Sequence, residues 1–305
     1  MPTQPTREQH LKAIQNINDI LADELAKHPD QTIKQIHQAL EQTKKAGYNP
    51  EELALALSNG LESRALTEEH LAHITPALIE TAKAGQNPKH LAMILSDGLE
   101  SKALTEEHLP QVVPLLREAL EQTKTAGHNP DNLARVLREG LASKAITEEH
   151  LPRVVPLLRK AFEQTKEAGH NPESLVKVLR EGLERKVLTG ENLPKVIPLL
   201  RETLEQTKKA GHHPEHLARV LSEGLASKSV KNVKEVKDIL EHAGLAWMKD
   251  RKWAPNALVE HALKANQQIQ NLQETLRLQR EIIEAGILPT EQLTLKYWKT
   301  PPKNK

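Results

Sequence analysis

Three copies of the triplet Glu-Glu-His, at residues 68–70, 106–108 and 148–150, set a carboxylate beside an imidazole. Acid–base chemistry uses such neighbours. Each copy follows a threonine, Thr67, Thr105 or Thr147, inside the longer string Leu/Ile-Thr-Glu-Glu-His-Leu. Threonine is a good helix N-cap, and glutamate is favoured in the first turn by the helix dipole. A catalytic centre occurs once in a chain, whereas a cap recurs with every helix. The triplets therefore read as caps.

A denser cluster stands at His212, His213 and His216. His212 and His216 are four apart, a spacing that can bring two metal ligands together on a helix. Gly211 to Pro214, however, reads as a turn between helices, and no carboxylate completes the set. His128 and His170 fill the slot of His212 in units with no cluster. No metal site is assigned. Neither GxGxxG, GxxxxGK[ST] nor GxSxG occurs, and no nucleophile, base and oxyanion donors converge. Cysteine is absent, which excludes thiolate nucleophiles, disulfides and Cys-ligated zinc. The expectation is a chain that is not an enzyme and carries no cofactor.

The elements that must position these residues are repeats. Ala-Gly-His-Asn-Pro, or a close variant, occurs five times, its Asn slot filled by Asn49, Asn87, Asn129, Asn171 and His213. The intervals are 38, 42, 42 and 42 residues. The Thr-Glu-Glu-His marker keeps the same phase, with a weaker copy at Thr189. The four-residue shortfall of the shorter unit falls inside the helix ending at Gly85, where it removes about one turn and preserves facing.

Residues 105–146 illustrate one unit. Thr105 caps a short or kinked helix over 106–113, interrupted by Pro110 and Pro114, since proline lacks an N–H and clashes with the carbonyl four residues back. A longer helix runs from Pro114 to Ala126 with Leu115, Leu116, Ala119, Leu120 and Thr123 on one stripe, and Gly127 ends it. Asn129 caps a third helix with Pro130 at its first position. Leu133, Val136, Leu137 and Leu141 give that helix an apolar face. Gly140 recurs as Gly60, Gly98, Gly182 and Gly224. It either closes the third helix in a Schellman turn or lets a neighbouring helix approach.

A unit of this size cannot bury its apolar faces alone, but stacked units can. In unit length and three-helix plan, residues 30–229 resemble armadillo repeats, with HEAT repeats as the near alternative. That resemblance implies an all-α, right-handed α-solenoid of about five tandem repeats of ~42 residues with helical caps. Residues 1–29 are expected to form an N-terminal capping helix, amphipathic over 7–27 through Leu11, Ile14, Ile17, Ile20, Leu21 and Leu25. Residues 30–46 copy the long helix of the repeat without its prolines. Residues 230–305 form a C-terminal helical cap, with a long helix around 255–285 and a mobile basic tail. That long helix also offers a seam for self-association.

Bulk properties agree. Lys and Arg total 42 against 41 Asp and Glu, so no global field draws the chain to nucleic acid or membrane. Aromatics make up 2% of the chain, four of them in Trp247, Trp253, Tyr297 and Trp298, so aliphatic side chains must pack the repeats. The first residues lack an apolar stretch, so no secretory signal is expected. A cytoplasmic protein is the default, with an exported effector lacking a cleavable signal as the alternative.

Function is sought where the repeat varies. One slot on the third helix reads Leu55, Met93, Arg135, Lys177, Arg219, and the slot one turn on reads Ser58, Ser96, Arg138, Arg180, Ser222. On the armadillo resemblance this helix lines a concave face, apolar in two units and basic in the next three. Arg135, Arg138, Lys177, Arg180 and Arg219 would form a basic strip flanked by Glu139, Glu181 and Glu223. With Leu55 and Met93 they are the candidate partner-binding residues for a protein or an extended acidic peptide. The alternative is a nucleic-acid-binding solenoid using the same strip and the lysine-rich tail. A second basic ladder, Arg64, Lys102, Lys144, Lys186 and Lys228, is read as cations at helix C-termini.

Overall fold

A computed structural model describes residues 5–169 and 171–209, together with residues 218, 221, 222, 225 and 277. The chain divides into two compact units, Met1–Val259 and Glu260–Lys305, and the first contains every element described here. The expected C-terminal cap lies almost wholly outside the described residues.

Eleven α-helices and no strand occur among the described residues: α1 Arg7–Gln15, α2 Asp19–Leu25, α3 Asp30–Lys45, α4 Pro50–Glu62, α5 Glu68–Lys83, α6 Pro88–Glu100, α7 Leu109–Thr125, α8 Pro130–Ala142, α9 Leu151–Glu167, α10 Pro172–Glu184 and α11 Leu193–Lys209. Within these residues no helix is long and apolar enough to cross a membrane.

The Asn-Pro pairs start α4, α6, α8 and α10. The side chains of Asn49, Asn87, Asn129 and Asn171 each accept from the backbone N–H two residues on, at 3.0–3.1 Å. Proline sits at the first helical position, where a missing N–H costs nothing. The long helices α3, α5, α7 and α9 end just before Gly47, Gly85, Gly127 and Gly169, whose φ values of 70–83° are left-handed.

Like helices pack on like. α3 meets α5, α5 meets α7, α7 meets α9 and α9 meets α11, while α2, α4, α6, α8 and α10 form a second such series. Within each unit the two helices also touch. Leu116, Leu120, Leu133, Val136 and Leu137 are 0–2% exposed, and their counterparts in other units are buried too. Each such burial is worth about 1.5–3 kcal/mol. Thr43, Thr81, Thr123, Thr165 and Thr203 are also buried. Each hydroxyl donates to the carbonyl four residues back at 2.6–2.8 Å, so no polar group is left unmatched there.

Several expectations need correction. The interrupted short helix is a 3-10 turn, Glu106–His108 or Glu148–His150, and it runs straight into one continuous helix. A unit therefore has two helices. Pro110 and Pro152 stand in the first turn, where proline is tolerated. Pro114 and Pro156 do lie inside, but the carbonyls they leave unbonded belong to exposed residues that water can reach. Nor are the four missing residues of the 38-residue unit a turn of the long helix: α5, at 16 residues, is one shorter than α7, at 17, and starts at Glu68 without the three-residue 3-10 turn.

The N-terminal segment is two helices, not one. α1 ends at Gln15 with Asn16 as its C-cap, and Asn18 caps α2, accepting from Leu21 N at 2.7 Å. Ile20 consequently stands 49% exposed instead of on the buried face. α1 packs on α3 and α2 on α4, so this hairpin extends both series.

The repeat glycine also resolves. Gly60, Gly98, Gly140 and Gly182 lie inside their helices, and a Cβ there would come within 2.4–2.7 Å of the Leu or Ile six residues on. Glycine thus admits a side chain folding back from the loop. The Schellman bond is also present. Ala103 N donates to Gly98 O at 2.9 Å and Lys102 N to Leu99 O at 3.0 Å. The residue that turns the chain is the cation: Arg64, Lys102, Lys144 and Lys186 have φ of 57–61°. All four are exposed.

Candidate functional site

The triplets assemble caps, and the histidine does the work usually given to Glu or Gln. His70 Nδ1 accepts from Thr67 N at 3.2 Å while Thr67 Oγ1 accepts from His70 N at 3.3 Å. His150 takes the same bond from Thr147 N at 3.2 Å. These are capping boxes. Glu148 reaches into the preceding unit. Its carboxylate accepts from Thr105 N at 2.8 Å and lies 2.9 Å from His108 Nδ1. In the weaker copy Gly190 replaces that glutamate, and a Cβ there would lie 2.2 Å from the His150 ring. His150 fills the space. Asn192 takes the histidine's role, accepting from Thr189 N at 2.9 Å and donating to Val187 O at 3.1 Å.

Along α4, α6, α8 and α10 the variable slot faces solvent. Leu55 is 52% exposed, Met93 and Arg135 are half-buried, and Lys177 is exposed. The following slot does not behave uniformly. Ser58 and Ser96 are buried, whereas Arg138 and Arg180 are half-exposed. Arg219 and the cluster His212, His213 and His216 lie outside the described residues.

The arginines do not form an uninterrupted basic strip. Arg138 Nε donates to Asp97 at 2.7 Å, across from α8 to α6. Arg180 lies 3.3 Å from Glu139, from α10 to α8. Arg135 donates to both oxygens of Glu173 on α10 at 2.9 Å and has Asp131 at 3.9 Å. Towards the start of the series, Lys89 meets Glu52 at 3.2 Å and His90 lies 3.6 Å from Asp131. Burial holds the His90 imidazole below its ordinary pKa despite Asp131. The surface is thus an alternating ladder of charge laced between units. Each pair is partly exposed and worth about 0–1 kcal/mol. Asp97, Arg135, Arg138, Glu139, Ala142 and Arg180 line a polar cavity of about 310 Å³ in this ladder. The variable-slot cation Lys177 makes no ion pair with another described residue.

The partner acids Asp97 and Glu173 were not singled out in the sequence. Their signal is the repeat period itself. Asp97 to Arg138 and Glu139 to Arg180 are both 41 residues apart, one less than the repeat, which places each acid opposite a base of the next unit. Among the described residues no three His, Asp or Glu side chains are grouped so as to hold a metal ion. The chain matches no family model, no curated protein and no solved structure.

Proposed function

We propose that the chain is a non-enzymatic binding scaffold, an α-solenoid whose second-helix series, α4 to α10, recognises a protein partner. The two-helix unit is nearer to HEAT than to armadillo repeats. The reading rests on one observation. Leu55, Met93, Arg135 and Lys177 differ in chemistry at one solvent-facing slot, while the buried positions beside them stay leucine, isoleucine, valine or alanine. Stacking fixes the inner face and leaves the outer slot free to encode a partner.

The partner that fits is an extended segment with apolar residues for Leu55 and Met93 and an acidic residue for Lys177. Helix-to-helix spacings of about 8–10 Å per unit would spread these contacts over roughly 30 Å. The arginines, being held by carboxylates, argue against a phosphodiester partner, which needs uncompensated cations.

Capture from native lysate tests the reading with the triple variant Leu55→Ser, Met93→Ser, Lys177→Glu, which leaves every ion pair of the ladder intact. A control, Lys160→Glu, alters an exposed position on α9. The expected result is prey retained by wild type and control and lost by the triple variant. Identical prey in all three would move the site off this series. Binding of a random duplex at low salt, steeply lost as salt rises, would restore the nucleic-acid alternative.

A further inference from the structure

α1 is fastened to α3 by an imidazole pair. His10 Nδ1 lies 2.8 Å from His37 Nδ1, the rings meeting edge to face at 65° with centroids 5.0 Å apart. His10 is 9% exposed and His37 half-buried. At this distance one ring must donate its Nδ1–H and the other must accept through an unprotonated Nδ1. The contact tolerates one proton between the two nitrogens. A proton on each would set two donors and two positive charges head to head, with little water to screen them.

We propose that His10 and His37 form an acid-sensitive latch that holds α1 on α3 at neutral pH and releases it when both rings are protonated. Release uncovers apolar surface, since α1 packs on α3 and its Ile14 is 0% exposed.

The surrounding charges do not cancel this. On α3, Glu41 favours protonation of His37, but burial and the neighbouring His10 outweigh it, so the His37 pKa lies below its ordinary value. On α1, Arg7 stands one turn before His10 and is taken up by Asp30, with further bonds to the carbonyls of Ala26 and His28. On α2, Asp19 and Asp23 are exposed and Glu24 is held by Lys27 at 2.8 Å. Among the described residues, neither α4 nor α5, which also pack on α3, adds a charge that acts on His37. The sign follows from linkage. A base whose folded pKa is depressed contributes stability above the unfolded value, near 6.5, and loses it as pH falls towards the folded value. The latch is therefore closed above about pH 6.5 and opens below it.

Hydrogen exchange of the full chain, with intrinsic rates divided out, reads the latch directly. Between pH 7.5 and 5.0, protection of α1 amides should fall several-fold, the direction that a lowered His37 pKa requires, while α7 and α9 stay constant. In His10→Gln and in His37→Gln, which keep a hydrogen-bonding group without a titrating ring, the fall should vanish. Unchanged α1 protection in wild type, or the same fall in either variant, overturns the proposal. Should the variants loosen α1 at both pH values, ring-proton titration of wild type decides. Two separate steps support the latch, and two coincident steps refute it.

Discussion

The two helix series end in opposite ways. The long helices α3, α5, α7 and α9 stop at a glycine in left-handed conformation, and at Gly47 and Gly127 a Cβ would meet nothing within 4 Å. The helices α4, α6, α8 and α10 place their glycine two residues before the end, where a Cβ would collide, and give the left-handed position to Arg64, Lys102, Lys144 or Lys186. One glycine is needed for its backbone, the other for its missing side chain. Identical residues in one repeat thus answer different physical demands, and substitution separates them.

The largest effect is expected at the packed glycine. Gly140→Val should cost about 2–3 kcal/mol, because Ile146 is pinned against it and cannot give way. Denaturant unfolding of the full chain measures it, and a cost under about 0.5 kcal/mol would mean the loop is free to move. Gly127→Ala should cost less, about 1–2 kcal/mol, all of it backbone strain, since the space is open. Lys144→Gly should go the other way and stabilise by up to about 1 kcal/mol, since glycine adopts φ near 60° without strain. Loss of the cation from the helix C-terminus offsets part of that gain. A destabilisation there would show that the cation contributes more than its conformation costs. The smallest effect is expected on the charge ladder. Arg138→Gln should shift stability by about 0.5–1 kcal/mol, less at high salt, as a partly exposed pair does.

Much of this was legible because its causes are local. Asn-Pro and Ala-Gly punctuate helices through their own backbone chemistry, so the boundaries at Asn49, Asn87, Asn129 and Asn171 follow from the sequence. The Thr-Glu-Glu-His string read correctly as a cap, although the histidine's part as N3 acceptor did not emerge from the residue type. Where the reading failed, the outcome depended on context. Pro114 was expected to interrupt a helix, but the carbonyl it leaves unbonded belongs to exposed Pro110 and the helix continues. Asn18 was passed over as one polar residue in an amphipathic run, whereas its side chain caps α2 and so divides the run. The arginines at positions 135, 138 and 180 looked like a free basic strip because their partners are 38 to 41 residues away. Only the stacking of α6, α8 and α10 brings Asp97, Glu139 and Glu173 to them.

The scaffold reading depends on units that shelter one another's apolar faces and are therefore interchangeable along the stack. Deleting residues 105–146, one full unit, and joining Leu104 to Thr147 tests this most directly. Helical content per residue and cooperativity of thermal unfolding, followed by circular dichroism, are the readouts. An array of stacked units predicts a shortened chain with unchanged helicity per residue that still melts cooperatively. A chain that loses its helicity or unfolds without a transition would contradict the account.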